Sequence, residues 1–478
     1  MRETSAHAVQ QHIVKHPLIL AAILALASHA AAQITLDCDY TSAGARGEPM
    51  HDHWNVSNRI SPMRSFAMPV GENPRINIVR PLGGKSKNGK MLVEEDTYKW
   101  DGTKYLYDWE PLHQQITVVR KRAALHQLMI DNPPWAFQRG LDLKVEDAVE
   151  TYGNAWPPHD PTAWSQYIRD LLKELVSTYG RETAEQWRYC IGREIGTKGH
   201  WRGTMLEFFE HYRITERAIH SVLPKAKVGT HFLWASSENS SGPDFVKWCR
   251  KNKVRYDFIG ISFYPFYNRT NRVDLQHVYK ADFAPIKDIP EWNPAATLEI
   301  HEFALITKMS AKGNSYDSAP AKYQESFTVM LAKMMVEHGL RDVFRWGTGE
   351  GRLAEQCLRS MQGNRFYKNT QDGKPATKGN MVNAVFAHDE SQKQYNIMVA
   401  NYSVDPKSDK AESIQIKTIL PVKTGSAMKY RIATCQDGRL DGSEWKTAKT
   451  TSHAGTNTSE LILGTKLKPF SFQKIEIR

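Results

Sequence analysis

Between residues 75 and 346, short apolar runs alternate with amphipathic stretches of helical period. The strand candidates are 75–80, 127–130, 187–191, 226–235, 256–265, 296–303 and 342–346. The helix candidates are 112–126, 160–179, 206–223, 245–252 and 323–338. A short run that is apolar throughout reads as a strand buried on both faces, as in a parallel sheet covered by helices. Repeated about eight times over roughly 280 residues, the alternation predicts an α/β fold, a (β/α)8 TIM barrel, over 74–364. Helix boundaries support it: Pro161 follows Asp160 at one start, Gly180 follows its last turn, and Pro224 closes another helix.

Beyond residue 364 the pattern changes. Runs 383–388, 395–401, 413–420, 428–434 and 470–477 alternate in polarity between Gly, Asn, Asp and Ser. This predicts an accessory antiparallel β-sandwich over 365–478. Residues 33–73 read as one strand, 33–40, that joins the sandwich, followed by a loop. Ahead of it, Lys15 and His16 precede an apolar run, 17–27, then small residues at Ala30 and Ala32. That run is short for a membrane span and reads as a signal peptide, 1–32, with the mature chain starting at Gln33. The expected location is secreted or periplasmic, with no stable membrane insertion.

The formal charge is +11, a balance that favours acidic polymers, membrane surfaces or nucleic acid. No nucleic-acid motif and no tight Lys/Arg block accompany it, so nucleic acid is not an expected partner. The five cysteines are widely spaced with no CxxC pair, against a cysteine zinc site. His51-Asp52-His53-Trp54 has metal-ligating residue types but reads as a loop packed at the barrel mouth. No metal and no cofactor are expected.

Barrel chemistry sits at the C-terminal ends of the strands. Glu194 ends the run Trp187–Ile191 and its Gly192-Arg193 extension; Glu302 ends the run 296–303. Two carboxylates from two strands suit glycoside hydrolysis. Glu194 is the candidate acid/base and must carry a proton, which calls for a raised pKa; Glu302 is the candidate nucleophile and must be ionised. Carboxyl groups about 5–5.5 Å apart give retention, and about 6.5–9.5 Å inversion. Glu299 competes with Glu302, but its spacing of three puts it on the opposite strand face. Around the pair, the candidate substrate-binding residues are Arg193, Trp135, Tyr264, His231, His301 and Trp346. Trp135 and Trp346 offer flat rings to a sugar or simple packing. Tyr264 offers Glu302 a hydrogen bond. His231 and His301 read as outer-layer or core imidazoles, not metal ligands.

In the order of its pieces the chain resembles clan A glycoside hydrolases, closest to family 39, the β-xylosidase and α-iduronidase relatives. The resemblance rests on Ile191-Gly192-Arg193-Glu194 with Trp201 downstream, on Leu298-Glu299-Ile300-His301-Glu302-Phe303, and on the aromatic end of 258–265. It implies an acid/base at the end of the fourth strand, a nucleophile at the end of the seventh, and a flanking sandwich. One position departs from it: the family's Asn before the acid/base is Arg193. An arginine there either clamps a carboxylate or sulfate of the substrate, or salt-bridges a neighbouring carboxylate and positions Glu194. The expectation is a secreted retaining glycosidase acting on a carbohydrate, including an anionic one such as a sulfated algal galactan or a uronate-containing glycan. The competing readings are a non-catalytic carbohydrate-binding protein on a decayed barrel and a polysaccharide lyase.

Overall fold

A computed structural model describes residues 34–53, 56–57, 75–87, 89–120, 125–138, 153–233, 242–267, 275–309, 316–318, 321–345, 352–436, 438–442, 444–453 and 458–478. The apolar run 17–27, Trp54 and Trp346 lie outside these residues.

Eight parallel strands close into a barrel. In order they are Val56–Ser57, Ile76–Val79, Leu125–Ile130, Arg188–Ile195, Lys227–Phe232, Phe258–Phe263, Thr297–Phe303 and Arg341–Arg345. Ser57 pairs with Arg345 and with Asn77, which closes the ring. The run at 75–80, expected to open the barrel, is therefore its second strand. A two-residue strand is too short to show any period, so the first one left no mark on the pattern. Its presence makes the Glu194 strand the fourth and the Glu302 strand the seventh. The helix expected over 112–126 ends at Arg120, and Leu125–Ile130 is strand. Short apolar runs are ambiguous between the two states, and pairing with Ile76–Val79 decides this one.

Local chemistry fixes the helices around the fourth strand. Asp160 caps Pro161–Tyr179 by accepting from the backbone N–H groups of Thr162 and Ala163. Gly180, at φ 86°, ends it. Trp164, Tyr167, Ile168, Leu171, Leu172 and Leu175 form its buried face. Met205–Val222 starts on a capping box between Thr204 and Glu207. That cap sets where the loop after the fourth strand must finish.

The lumen is filled in layers. Ile76, Ile78, Met129, Cys190, Phe258 and Phe344 form a small apolar core of their own. Below it Arg188 lies 4.1 Å over the Phe258 ring and pairs with Glu299 at 2.5 Å. Asp342 joins Arg188, His51 and Arg75 on the same level. Two glycines make room. A Cβ on Gly229 would stand 2.2 Å from the Phe258 carbonyl oxygen, and one on Gly260 would stand 2.1 Å from the His301 ring.

Two sheets make the sandwich, antiparallel except where Ile34–Asp39 runs parallel to Glu412–Leu420. The larger runs Arg46–Pro49, Arg365–Tyr367, Asn380–Asp389, Gln394–Ser403, Ser471–Ile477, Ala427–Gln436 and Arg439–Gly442, with Lys446–Lys449 pairing off this path. The smaller places Ile34–Asp39 between Thr370–Asp372 and Glu412–Leu420, followed by Ser459–Leu467 and Thr451–Ser452. Ile34, Leu36 and Cys38 alternate inward with exposed-side neighbours, as a one-faced strand must. Helix Gln324–His338 is buried from Ser326 to Met335 on every side, because barrel and sandwich both pack on it. It carries no polar stripe for the same reason. All five cysteines are buried thiols. Among the described residues, no helix is long and apolar enough to cross a membrane.

Gly260→Ala is expected to destabilise the barrel by about 1–3 kcal/mol, the usual cost of overpacking a filled core. Urea unfolding of the variant against the parent protein checks this.

Candidate active site

The fourth strand does not stay regular to its end. Against the fifth strand, Ile191 pairs with Thr230 and Ile195 with Phe232, so three residues face His231 alone. Gly192 and Glu194 take positive φ, 75° and 44°. For Glu194 that backbone costs about 1–2 kcal/mol. A Cβ on Gly192 would meet Ile195 and Phe208 at 2.8–2.9 Å. The bulge turns Arg193 and Glu194 both toward the lumen, where strict alternation would admit only one.

A second bulge does the same at the seventh strand. Its register with the sixth slips by one between Ile261 and Ser262, so that Ser262 pairs with Glu302. Leu298 and Ile300 pack outward into the main core. Glu299 and His301 face inward and bond each other at 2.9 Å. Without the slip Glu302 would follow Leu298 and Ile300 outward. With it, Glu299 and Glu302 face the same lumen at different depths, which corrects the expectation of opposite faces. Bulges near barrel rims commonly re-aim side chains in this way.

Glu302 is held by donors. Arg193 Nε and Nη2 approach Oε1 at 2.6 and 2.5 Å, and the Tyr264 hydroxyl donates to Oε2 at 2.7 Å. Arg193 therefore pairs with the carboxylate of the seventh strand, not with Glu194 beside it. Glu194 is held differently. The Ser262 hydroxyl donates to Oε1 at 2.6 Å, and His200 Nε2 lies 3.1 Å from Oε2. His231 Nε2 stands 3.0 Å behind Ser262 Oγ. Glu194, His231, Ser262 and Glu302 thus come from four consecutive strands, and all are buried.

The electrostatics are those of a dry, coupled site. Burial pushes Glu194 up, but the His200 hydrogen bond and charge, and then Arg193 and His231, outweigh it and hold the group low. Burial pushes Glu302 up, Arg193 pulls it back, and the Glu194 charge raises it again. This order is opposite to the one expected for the two roles. The lowering of Glu194 comes first from the His200 hydrogen bond, then from the charges of His200, Arg193 and His231. Burial pulls both imidazoles below their ordinary value, His231 strongly, so neither supplies that charge near neutral pH. What remains is the kind of partner each carboxyl has. A guanidinium has no lone pair, so it selects the Glu302 anion. An imidazole and a hydroxyl each donate or accept, so they tolerate Glu194 with its proton or without it.

The other candidates fall at different distances from this pair. His301 is fully buried beneath it, between Glu299 and Gln127. Glu299 receives Arg188, His301 and the Thr297 hydroxyl, which commits it to the barrel floor. Trp135 is 4% exposed; its indole N–H donates to the Lys85 carbonyl and its backbone N–H to Asp96. It is a strut between two loops of the catalytic face. Trp346 lies outside the described residues. His51 bonds Asp342, and burial brings His53 down to about 3. Among the described residues no three His, Cys, Asp or Glu side chains stand together as a metal site.

Sequence reasoning missed Ser262, His200, Arg80 and Asp131. Arg80 ends the second strand and pairs with Asp131 after the third, at 2.6 Å. Its charge reaches Glu302 and His200. Ser262 had a signal, since it lies two residues before Tyr264 on one strand and so shares its face. His200 lies six residues past Glu194 in a loop, where no period speaks.

A β/α barrel with two carboxylates bulged into its mouth and a sandwich on its flank defines a glycoside hydrolase. The family model for glycosyl hydrolases family 39 matches residues 144–293. The α-1,4-L-rhamnosidase of Formosa agariphila is 46% identical over 458 residues, 94% of each chain. A β-xylosidase of Caldicellulosiruptor saccharolyticus is 33% identical over 114 residues, 24% of this chain and 23% of its own. The crystal structure of a monomeric β-xylosidase from Caulobacter crescentus CB15 shares the fold, with TM-score 0.59, 14% identity, and coverage of 93% of this chain and 99% of that one. This chain belongs to glycosyl hydrolase family 39.

Arg193→Met removes the cation that selects ionised Glu302, so the carboxyl should titrate higher. The acidic limb of hydrolysis, below which Glu302 is protonated, should move up by about 1–3 pH units. A kcat/KM profile against pH reads this directly.

Proposed function

We propose that the protein cleaves α-1,4-linked L-rhamnosyl bonds with retention of configuration. The sugar rests on the 46% identity to an α-1,4-L-rhamnosidase along nearly the whole chain; the β-xylosidase likeness covers 24% of it. The mechanism rests on one observation. Glu302 is held by a guanidinium, which can only donate, beside the Tyr264 hydroxyl, whereas Glu194 has a hydroxyl and an imidazole and no such obligate donor.

In the first step Glu302 attacks the anomeric carbon while Glu194 passes its proton to the departing oxygen. The Glu302 charge is consumed in the new bond, and Arg193 is left facing a neutral ester. In the second step Glu194, now ionised, takes a proton from water as that water attacks the same carbon and the ester bond breaks. Tyr264 returns to the freed carboxylate.

An exported enzyme acting on an acidic, sulfated or uronate-containing glycan is the further part of this reading. The apolar run at 17–27 and the formal charge of +11 support it. With Arg193 engaged by Glu302, attraction of an anionic chain falls to the surface charge as a whole, and is weakened by salt.

Glu194→Gln and Glu302→Gln should each lower hydrolysis of an α-L-rhamnoside by at least about 100-fold, the lower range for losing such a group. Proton NMR of the first turnovers should show α-rhamnose before mutarotation. Early β-rhamnose, or full activity in the Glu302 variant, would remove the retaining pathway.

A further inference from the structure

We propose that His200 is a positioning residue for hydrolysis: it shares the catalytic proton with Glu194, holding it between Nε2 and Oε2 until the leaving group takes it. The inference rests on the reading of Glu194 as the acid/base.

The two carboxyl oxygens of Glu194 are not equivalent. Oε1 is fixed from below by Ser262, itself backed by His231, and both are 1% exposed. Oε2 faces His200 Nε2 at 3.1 Å. A charge-assisted N–H···O⁻ bond runs about 2.7–2.9 Å, so this contact is a loose hold that a substrate oxygen competes with. A proton in that gap is carried by either heavy atom, as imidazolium with carboxylate or as imidazole with carboxylic acid. Ser262 stays a donor to Oε1 in both cases.

The loop holds His200 in place. His200 and Trp201 donate their backbone N–H groups to the Thr197 carbonyl, Arg202 donates to the Ala155 carbonyl, and the Trp201 indole donates to the Thr204 carbonyl. Thr204 then starts the next helix through its capping box. The imidazole side chain is 4% exposed. These ties fix the main chain that carries the ring beside Glu194.

The surrounding charges favour a shared proton. Arg193 beside Glu194, and Arg80 at the second strand, both act against a second positive charge on His200. Glu302, whose charge opposes that of Glu194, acts against a bare carboxylate. His231, Tyr264 and Asp131 complete the ring of titratable groups and are engaged by Ser262, Glu302 and Arg80. One proton across Glu194 and His200 satisfies both constraints. The balance over the cycle is simple. The pair gives that proton to the leaving oxygen as the glycosidic bond breaks, and regains it from water as the ester is hydrolysed.

If the proton is shared, His200 gives the pair a second place to hold it and its removal lowers the pair's proton affinity. If His200 only donates to the Glu194 carboxylate, its removal raises that affinity, so an alkaline limb that moves up overturns the proposal. In His200→Phe and His200→Gln, the alkaline limb of kcat/KM for an alkyl α-L-rhamnoside should move down by about one pH unit or more, tenfold in proton affinity. The loss at neutral pH should be at least about tenfold greater for the alkyl rhamnoside than for 2,4-dinitrophenyl α-L-rhamnoside, whose leaving group needs little protonation. An alkaline limb that coincides with the parent in both variants overturns the proposal, as does an equal loss on the two substrates. If the variants do not fold, nitrogen NMR of the intact protein decides: the His200 Nε2 titration should change in Glu194→Gln, and an identical titration overturns it. Full activity of Glu194→Gln would instead remove the acid/base reading itself. An inactive Glu194→Gln rescued by azide, with His200 variants of unmoved limb, removes only this proposal.

Discussion

The mouth of the barrel depends on one buried ion pair, Arg193 with Glu302. Both side chains are more than nine-tenths buried, and neither charge is tolerable there alone. Breaking such a pair from one side typically costs about 3–5 kcal/mol, since it leaves a bare charge out of water. The geometry that forms it is assembled from two irregularities, one on each strand. The bulge at Gly192–Glu194 brings in an arginine that regular alternation would point into the helices. The slip at His301–Glu302 brings in the carboxylate that meets it.

The same two strands are joined a second time. Arg188 and Glu299 link the fourth and seventh strands at the floor, below the apolar layer of Cys190 and Phe258. There the charge pattern is closed: Glu299 is held low despite burial, chiefly by Arg188 and His301. At the mouth a hydroxyl, Tyr264, replaces the imidazole. The floor pair is committed to fixed partners, with Glu299 taking Arg188, His301 and the Thr297 hydroxyl. The mouth pair has Glu194 with exchangeable partners beside it. Two crossings of one chemical type thus stand at different depths of one lumen.

The barrel and the sandwich were legible because their signals are long. Short apolar runs that recur between amphipathic helices with clear ends, and alternating runs of six to eight residues, each repeat a pattern often enough to be read. Glu194 and Glu302 were legible through their position at strand ends. What could not be read was short or broke a period. The two-residue opening strand has no pattern. The faces of Glu299 and Glu302 were misjudged because a period of two assumes that no residue is inserted. The partner of Arg193 was open because a bulge, not spacing, decides which side chains meet. His200 sits in a loop whose shape comes from backbone hydrogen bonds that leave no compositional trace.

Helix Gln324–His338 joins the seventh barrel strand to the eighth, and it is also the surface on which the sandwich rests. One hydrophobic core therefore holds this helix together with residues of both the barrel and the larger sheet. A hydrolase of this design has no seam along which its β-rich half detaches: stripping that half away would bare Met330, Met334 and their neighbours to water. The α/β unit that carries Glu302 would lose its packing on that side, so the flanking sheets support the strand on which Glu302 sits.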